Sequence, residues 1–328
     1  MAGMSSLRTP TVPSRPSSRG PYSPGLLVPG RAGLRRGGAT RGDHRLALAL
    51  PAAAILVALA LWPLLQLATM SVHEVTAATL NSDWLFVGLD NYAALLASPD
   101  FPRAVVNTLL FVVIVTAIGM VGGFAVAVAV SSPTRGASYL LGMMVFVWAL
   151  PPVVNGSIWK FLLGDRGLLN EVIRALGGSP AGIGFLYDPH LALWSVALVN
   201  AWAVIPFNAL IFRASLLAVD SEVLEAAEMD GAGPWQRIRH VLIPHARPTA
   251  TVLAILTVVY AFRSFDFIYV MTSGGPGTAS TTLPYLAYVE AFLRLDYGGG
   301  AATALIALAV VIVLALFYAR DVRRSEES

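Results

Sequence analysis

From Leu46 to Met70 the chain runs 25 residues without one charged side chain. A helix rising about 1.5 Å per residue crosses roughly 30 Å of hydrocarbon in about 20 residues, so this stretch is long enough to span a membrane. Five further apolar blocks follow near residues 104–130, 137–158, 189–212, 249–270 and 300–319. With 56% hydrophobic and only 12% charged residues, the 328-residue chain lacks the polar surface that soluble domains of this length need. The expected fold is therefore all-α: a polytopic membrane protein with six transmembrane helices.

Basic residues orient such a protein, because Lys and Arg in short loops are retained on the cytoplasmic side. Sixteen of the 22 fall in the segment up to Arg45, at Arg135, at Arg213, Arg237, Arg239 and Arg247, and at Arg320, Arg323 and Arg324. The six on the opposite side are Arg103, Lys160, Arg166, Arg174, Arg263 and Arg294. Both termini and the loop after the fourth helix are thus expected in the cytoplasm. Residues 1–42, rich in Ser, Pro, Gly and Arg, read as a disordered tail. Residues 43–103 read as the first span and its external loop, 104–320 as the core with a cytoplasmic loop at 220–248, and 321–328 as a short tail.

Several chemistries are excluded. Cysteine is absent, which removes disulfides and thiolate ligands. The histidines, His44, His73, His190, His240 and His245, show no metal-ligand spacing. No G-x-x-x-x-G-K-S/T occurs, so the chain has no phosphate cradle of its own, and Gly274-Gly275-Pro276-Gly277 lacks dinucleotide-binding spacing. What the spans do carry is prolines and amides, among them Pro151, Pro152, Pro206, Asn155, Asn200 and Asn208. Lipid cannot satisfy these groups, so a neighbouring helix or a wet cavity must.

The loop at 220–248 is too patterned for a tether. Asp220 or Ser221 suits a helix N-cap, Glu222 the positive end of the dipole, and Gly231 a left-handed C-terminus, giving a helix of about two to three turns. Glu222, Glu225 and Glu228 recur along one side beside the small Ala226 and Ala227, a surface suited to docking another protein. Its acidity is wrong for anionic lipid. Pro234 opens a second helical segment, which Pro244 and Pro248 are expected to break before the fifth span.

Here the chain resembles the permease subunits of binding-protein-dependent ABC importers. Their cytoplasmic loop reads E-A-A, three residues, G, nine residues, I-x-L-P, and Glu225, Ala226, Ala227, Gly231 and Pro244 match it, with Asp230 in its usual continuation. Phe86-Val87-Gly88-Leu89-Asp90-Asn91-Tyr92, Asn107-Thr108, Trp159-Lys160, Gly167-Leu168-Leu169-Asn170 and the run Phe265–Pro276 resemble the carbohydrate-uptake branch, of maltose and glycerol-phosphate type.

The resemblance implies a type I ABC importer transmembrane fold and a bacterial plasma-membrane location. It also implies a second homologous permease, an ABC ATPase dimer holding ATP and Mg, and an extracytoplasmic solute-binding protein. Nucleic acid has no place in it, and no cofactor is expected on this chain. The matched loop becomes the coupling helix seated on the ATPase. The family's solute-contact segments fall on Asn200, Ala203, Val204 and Phe207, and on Thr257, Ala261 and Ser264, with Arg263 the first suspect for a phosphorylated solute. Asn200 and Phe207, seven apart, are expected to face one cavity. An ion-coupled secondary transporter is the alternative, since it too has polar spans; an intramembrane enzyme finds no paired catalytic groups, and a bare scaffold leaves the asparagines unexplained.

Overall fold

The computed structural model describes residues 41–131 and 134–326. Compactness divides the chain into residues 1–56 and 57–328; of the first unit the described part is the opening of helix α1, and most of the expected tail lies outside the described residues. Apart from residues 41–56 of α1, everything below belongs to the second unit.

Helix α1 (Arg41–Ser71) leads into a two-residue antiparallel pairing of β1 (His73–Glu74) with β2 (Leu85–Phe86), register His73 to Phe86, and then α2 (Asp90–Ala97). The Phe86–Tyr92 motif serves this junction. Asn91 Nδ2 donates to the carbonyls of Ser71 and His73, both at 2.9 Å, and Tyr92 donates to Ser71 Oγ at 2.9 Å. The carbonyls that a helix C-terminus leaves unpaired are thereby satisfied.

The core follows as α3 (Asp100–Ala129), α4 (Arg135–Ala149), α5 (Pro152–Leu162), α6 (Leu168–Ala175), α7 (Ala192–Leu216), α8 (Ser221–Met229), α9 (Pro234–Arg237), α10 (Ile243–Arg263), α11 (Asp266–Met271), α12 (Leu283–Tyr288) and α13 (Tyr297–Glu326). Helices α3, α7 and the rod Pro234–Met271 are long and apolar enough to cross a membrane, and the bent α4–α5 pair reaches that length and apolarity when its two arms are taken together. Helices α1 and α13 run 31 and 30 residues, with described apolar stretches at Ile55–Ser71 and Tyr297–Val313. Each of the six apolar blocks therefore falls on helix. The last helix continues to Glu326, past the expected start of a tail at 321.

Two spans differ from a simple rod. The third block bends by 102° between α4 and α5. Pro151 forces Leu150 into an extended conformation (φ −66°, ψ 131°), and Pro152 starts a fresh helix at its first position, where no N–H is needed. The fifth block does the opposite. The helix passes Pro244 and Pro248 without a break, contrary to the expectation from sequence, because residues Ile238–Leu242 form a π turn in which Ile243 N–H donates to Ile238 O. A proline ring in a regular helix collides with the carbonyl four residues back, and the wider π turn relieves that collision at Pro244. The rod breaks later, at Ser264 (φ −69°, ψ 96°) between α10 and α11.

Helix α7 is the hub: two-thirds of its apolar window is buried, against one-third for α3. The two helices touch almost backbone to backbone. A Cβ on Gly119 would lie 2.5 Å from Val204 Cγ1, and one on Gly123 would lie 2.5 Å from Asn208 Cβ. Gly119 and Gly123 are four apart, the small-xxx-small spacing by which membrane helices pack without a hydrophobic driving force. Arg213 of α7 then caps the end of α3, donating to Val130 O at 3.0 Å. On α3, two turns from its start, Asn107 Nδ2 reaches the carbonyls of Thr278, Ala279 and Thr281 at 3.3, 3.1 and 2.9 Å, and Thr108 Oγ1 accepts from Leu283 N at 2.8 Å. The loop between α11 and α12 is pinned to α3 by these bonds. Gly123→Val is expected to destabilise the detergent-purified protein by about 1–3 kcal/mol through overpacking, seen as a lower thermal midpoint. Gly142→Val, where a Cβ meets nothing within 4 Å, should leave that midpoint nearly unchanged.

Candidate translocation cavity and coupling loop

Two features of the fold bear on function, one between the spans and one on the loop that follows α7.

A cavity of about 330 Å³ opens where α4, α5, α7, α10 and α11 converge. That volume lies in the range of small-molecule sites. Ala203, Val204 and Phe207 of α7 and Thr257 of α10 line it, four of the residues singled out from sequence. Trp148, Asn155, Tyr260 and Phe267 complete the wall, with Trp148 stacked on Phe207 at 5.9 Å between ring centres and 22° between planes. Trp148 lies in the last turn of α4, just before the bend, where α4 packs on α7. The Pro151-Pro152 pair beside an aromatic was the available signal for it.

The other four are placed differently. Asn200 is fully buried, and its Nδ2 donates to Ser264 Oγ at 2.5 Å. Asn200 and Phe207 do not share the cavity: at Asn200 the helix face is covered by the α10–α11 junction. Ala261 is buried in the apolar core with Phe262 and Val204. Arg263 is exposed at the end of α10, and no ion pair joins it to Asp266 among the described residues. On the side of the cavity nearer α8, Thr257 Oγ1 donates to Leu253 O at 2.8 Å and lies 3.2 Å from Asn208 Oδ1.

The loop at 220–248 is built from short helices with closed ends. Asp220 occupies the N-cap position of α8 without a side-chain bond to the helix, and Glu222 lies in the first turn. The C-terminus closes in a Schellman motif: Ala232 N–H donates to Ala227 O at 2.9 Å and Gly231 N–H to Glu228 O at 3.0 Å, with Gly231 at φ +81°. Gln236 Oε1 accepts from Gly233 N–H at 2.8 Å, fixing the start of α9, and Arg237 pairs with Glu228 across the turn. No residue of α8 is buried; Glu225 and Ala226 are exposed, and Met229 is 89% exposed. Asp230, Gly231 and Ala227 border a polar hollow of about 250 Å³ that Arg237 and His240 complete. Pro244 lies exposed where the π turn meets α10.

A bundle of long apolar helices around a cavity of small-molecule size, with an exposed short helix on the loop after α7, fits a membrane transport subunit. Residues 116–325 match the family described as binding-protein-dependent transport system inner membrane component, and the chain belongs to that family. It is 31% identical over 286 residues to the diacetylchitobiose uptake system permease protein DasB of Streptomyces coelicolor, covering 85% of this chain and 87% of that one. It is 32% identical over 269 residues to the sn-glycerol-3-phosphate transport system permease protein UgpA of Agrobacterium fabrum, covering 80% and 89%. Among solved structures, a bacterial ABC transporter involved in import of the acidic polysaccharide alginate superimposes with a TM-score of 0.73 at 21% identity, over 87% of this chain and 96% of that one. The protein is accordingly an inner-membrane permease component of an ABC importer with the type I fold.

Thr257→Val keeps the shape of the side chain but leaves Asn208 without its hydroxyl neighbour. A loss of about 1 kcal/mol is expected, measured as a lower midpoint of thermal unfolding in detergent.

Proposed function

We propose that this chain is one of two homologous permeases forming a pseudo-twofold pore for a sugar, an oligosaccharide or a sugar or glycerol phosphate. Solute is delivered by an extracytoplasmic binding protein, and α8 sits in a cleft of one subunit of an ABC ATPase dimer that holds ATP and Mg. Both termini and α8 face the cytoplasm, by the distribution of arginines. The relatives named for diacetylchitobiose and glycerol-phosphate uptake support the solute class.

The observation that carries the coupling role is the continuity of the fold. Helix α8, exposed along its length and closed by Gly231, joins through the Glu228–Arg237 pair to a helix that runs unbroken to Thr257 in the cavity wall. A driver shifts a two-state equilibrium only by its differential interaction with the two states, and a loose linker would dissipate that difference. When ATP closes the ATPase dimer, α8 moves with its cleft and the α9–α10 rod rocks, turning the cavity outward; hydrolysis returns it. Ala203, Val204, Phe207 and Thr257 meet the solute in the cavity, Phe207 offering a ring face and Thr257 a hydroxyl. Asn200, Ala261, Arg263 and Ser264 act along the same pathway towards the external side.

Replacing Glu225 with Lys, or Gly231 with Val, is expected to abolish uptake and uncouple the ATPase while the chain still inserts. Valine at φ +81° is strained by about 1–2 kcal/mol or more, which melts the C-terminus of α8. Uptake of radiolabelled solute and ATP hydrolysis in the same proteoliposomes read both effects, and normal coupled uptake in both variants would exclude the role. Phe207→Ala is expected to raise the solute KM about tenfold by removing a ring face from the cavity, while ATPase coupling through α8 persists.

A further inference from the structure

The cavity on the α7–α10 seam is bracketed by two asparagine-to-hydroxyl contacts. Nearer α8 the pair is Asn208 with Thr257; one helical turn beyond the cavity on the other side it is Asn200 with Ser264. Along α7 the two asparagines are eight residues apart, about 12 Å, which accommodates one sugar ring between them.

The outer pair has two properties that the inner one lacks. Asn200 has no exposed surface, yet its Oδ1 finds no hydrogen-bond partner among the described residues. A buried orphan acceptor is a standing cost that native structures seldom carry without a use. Ser264, for its part, occupies the joint where the long rod ceases to be helical before α11. A hydrogen bond of 2.5 Å from the hub helix to that joint holds it in one bend, and Ser264 is only 8% exposed behind it.

We propose that Asn200 and Ser264 form the latch that shuts the cavity on the side away from α8. This rests on the importer reading above. A carboxamide in this state presents one free acceptor and one donor already engaged. A single hydrogen bond therefore holds the joint, with none from Oδ1 to reinforce it. Asn200 acts here as a positioning residue for the joint.

Because the chain has no cysteine, Ala203→Cys places a single thiol in the cavity wall. The assembled transporter carrying it, in sealed right-side-out vesicles without solute or ATP, is treated from outside with a membrane-impermeant maleimide. Labelling is expected to accelerate about five- to tenfold when Ser264→Ala removes the hydrogen bond, and likewise with Asn200→Ala; Ser264→Thr, which keeps the hydroxyl, should restore the slow rate. Equal rates in the Ser264→Ala and unmodified backgrounds, at equal assembly, would overturn the latch, and so would a threonine variant as fast as the alanine one. Ser264→Ala deletes one oxygen and decides the matter even if Asn200→Ala fails to assemble. The labelling needs no transport, so an unmodified complex that takes up no sugar counts against the importer reading and leaves this result standing.

Discussion

The near contact of α3 and α7 at Gly119 and Gly123 is the constraint from which the rest of the structure follows. Without side chains at those positions the two backbones approach closely enough for Val204 and Asn208 to lie against α3. Lipid is as apolar as the helices it surrounds, so this association draws on packing and a few polar contacts. Once α7 is fixed, its other faces receive α4 and α10, and the cavity is the space left between them beside the Pro151-Pro152 bend. Val204 belongs to both structures, since it packs against α3 and also borders the cavity.

Much of this was legible in the sequence, for a physical reason. A span must be long, apolar and internally hydrogen-bonded, so six blocks translate into helix with little ambiguity. The loop after α7 was legible because capping obeys local rules: Gly231 takes the left-handed conformation that its position demands, and α8 ends there. Long-range features were not legible in the same way. That Asn200 spends its amide on Ser264, 64 residues away, and so leaves the cavity lining, follows from how α7 and α10 cross. Pro244 misled because proline is read as a break from its own ring alone, while the π turn that accommodates it is a property of five preceding residues. Gly119 and Gly123 carried a readable spacing that the apolarity of their block concealed.

The motifs shared with carbohydrate-uptake permeases do work different from solute contact. Asn91 ties the end of α1, Asn107 and Thr108 hold the loop before α12, and Asn170 bridges Gly164 and Ile183 with its amide donating to both carbonyls at 3.1 and 3.0 Å. Lys160 donates to Val270 O at 2.8 Å, tying α5 to α11. Such residues hold loops and helix ends in place, and a polar side chain that completes several backbone bonds has few substitutes. The cavity wall, by contrast, mixes Ala203, Val204 and Phe207 with residues whose size sets the shape of the space.

The π turn at Ile238–Leu242 has one more consequence, for phase. Successive residues of a helix point about 100° apart around its axis, so the extra residue accommodated there sets the azimuth at which everything beyond it is displayed. The compass bearing of Thr257 relative to α8 is therefore encoded in the length of one short turn more than in any side chain along the rod. Loss or gain of a single residue between the two would aim the same helix at a different neighbour.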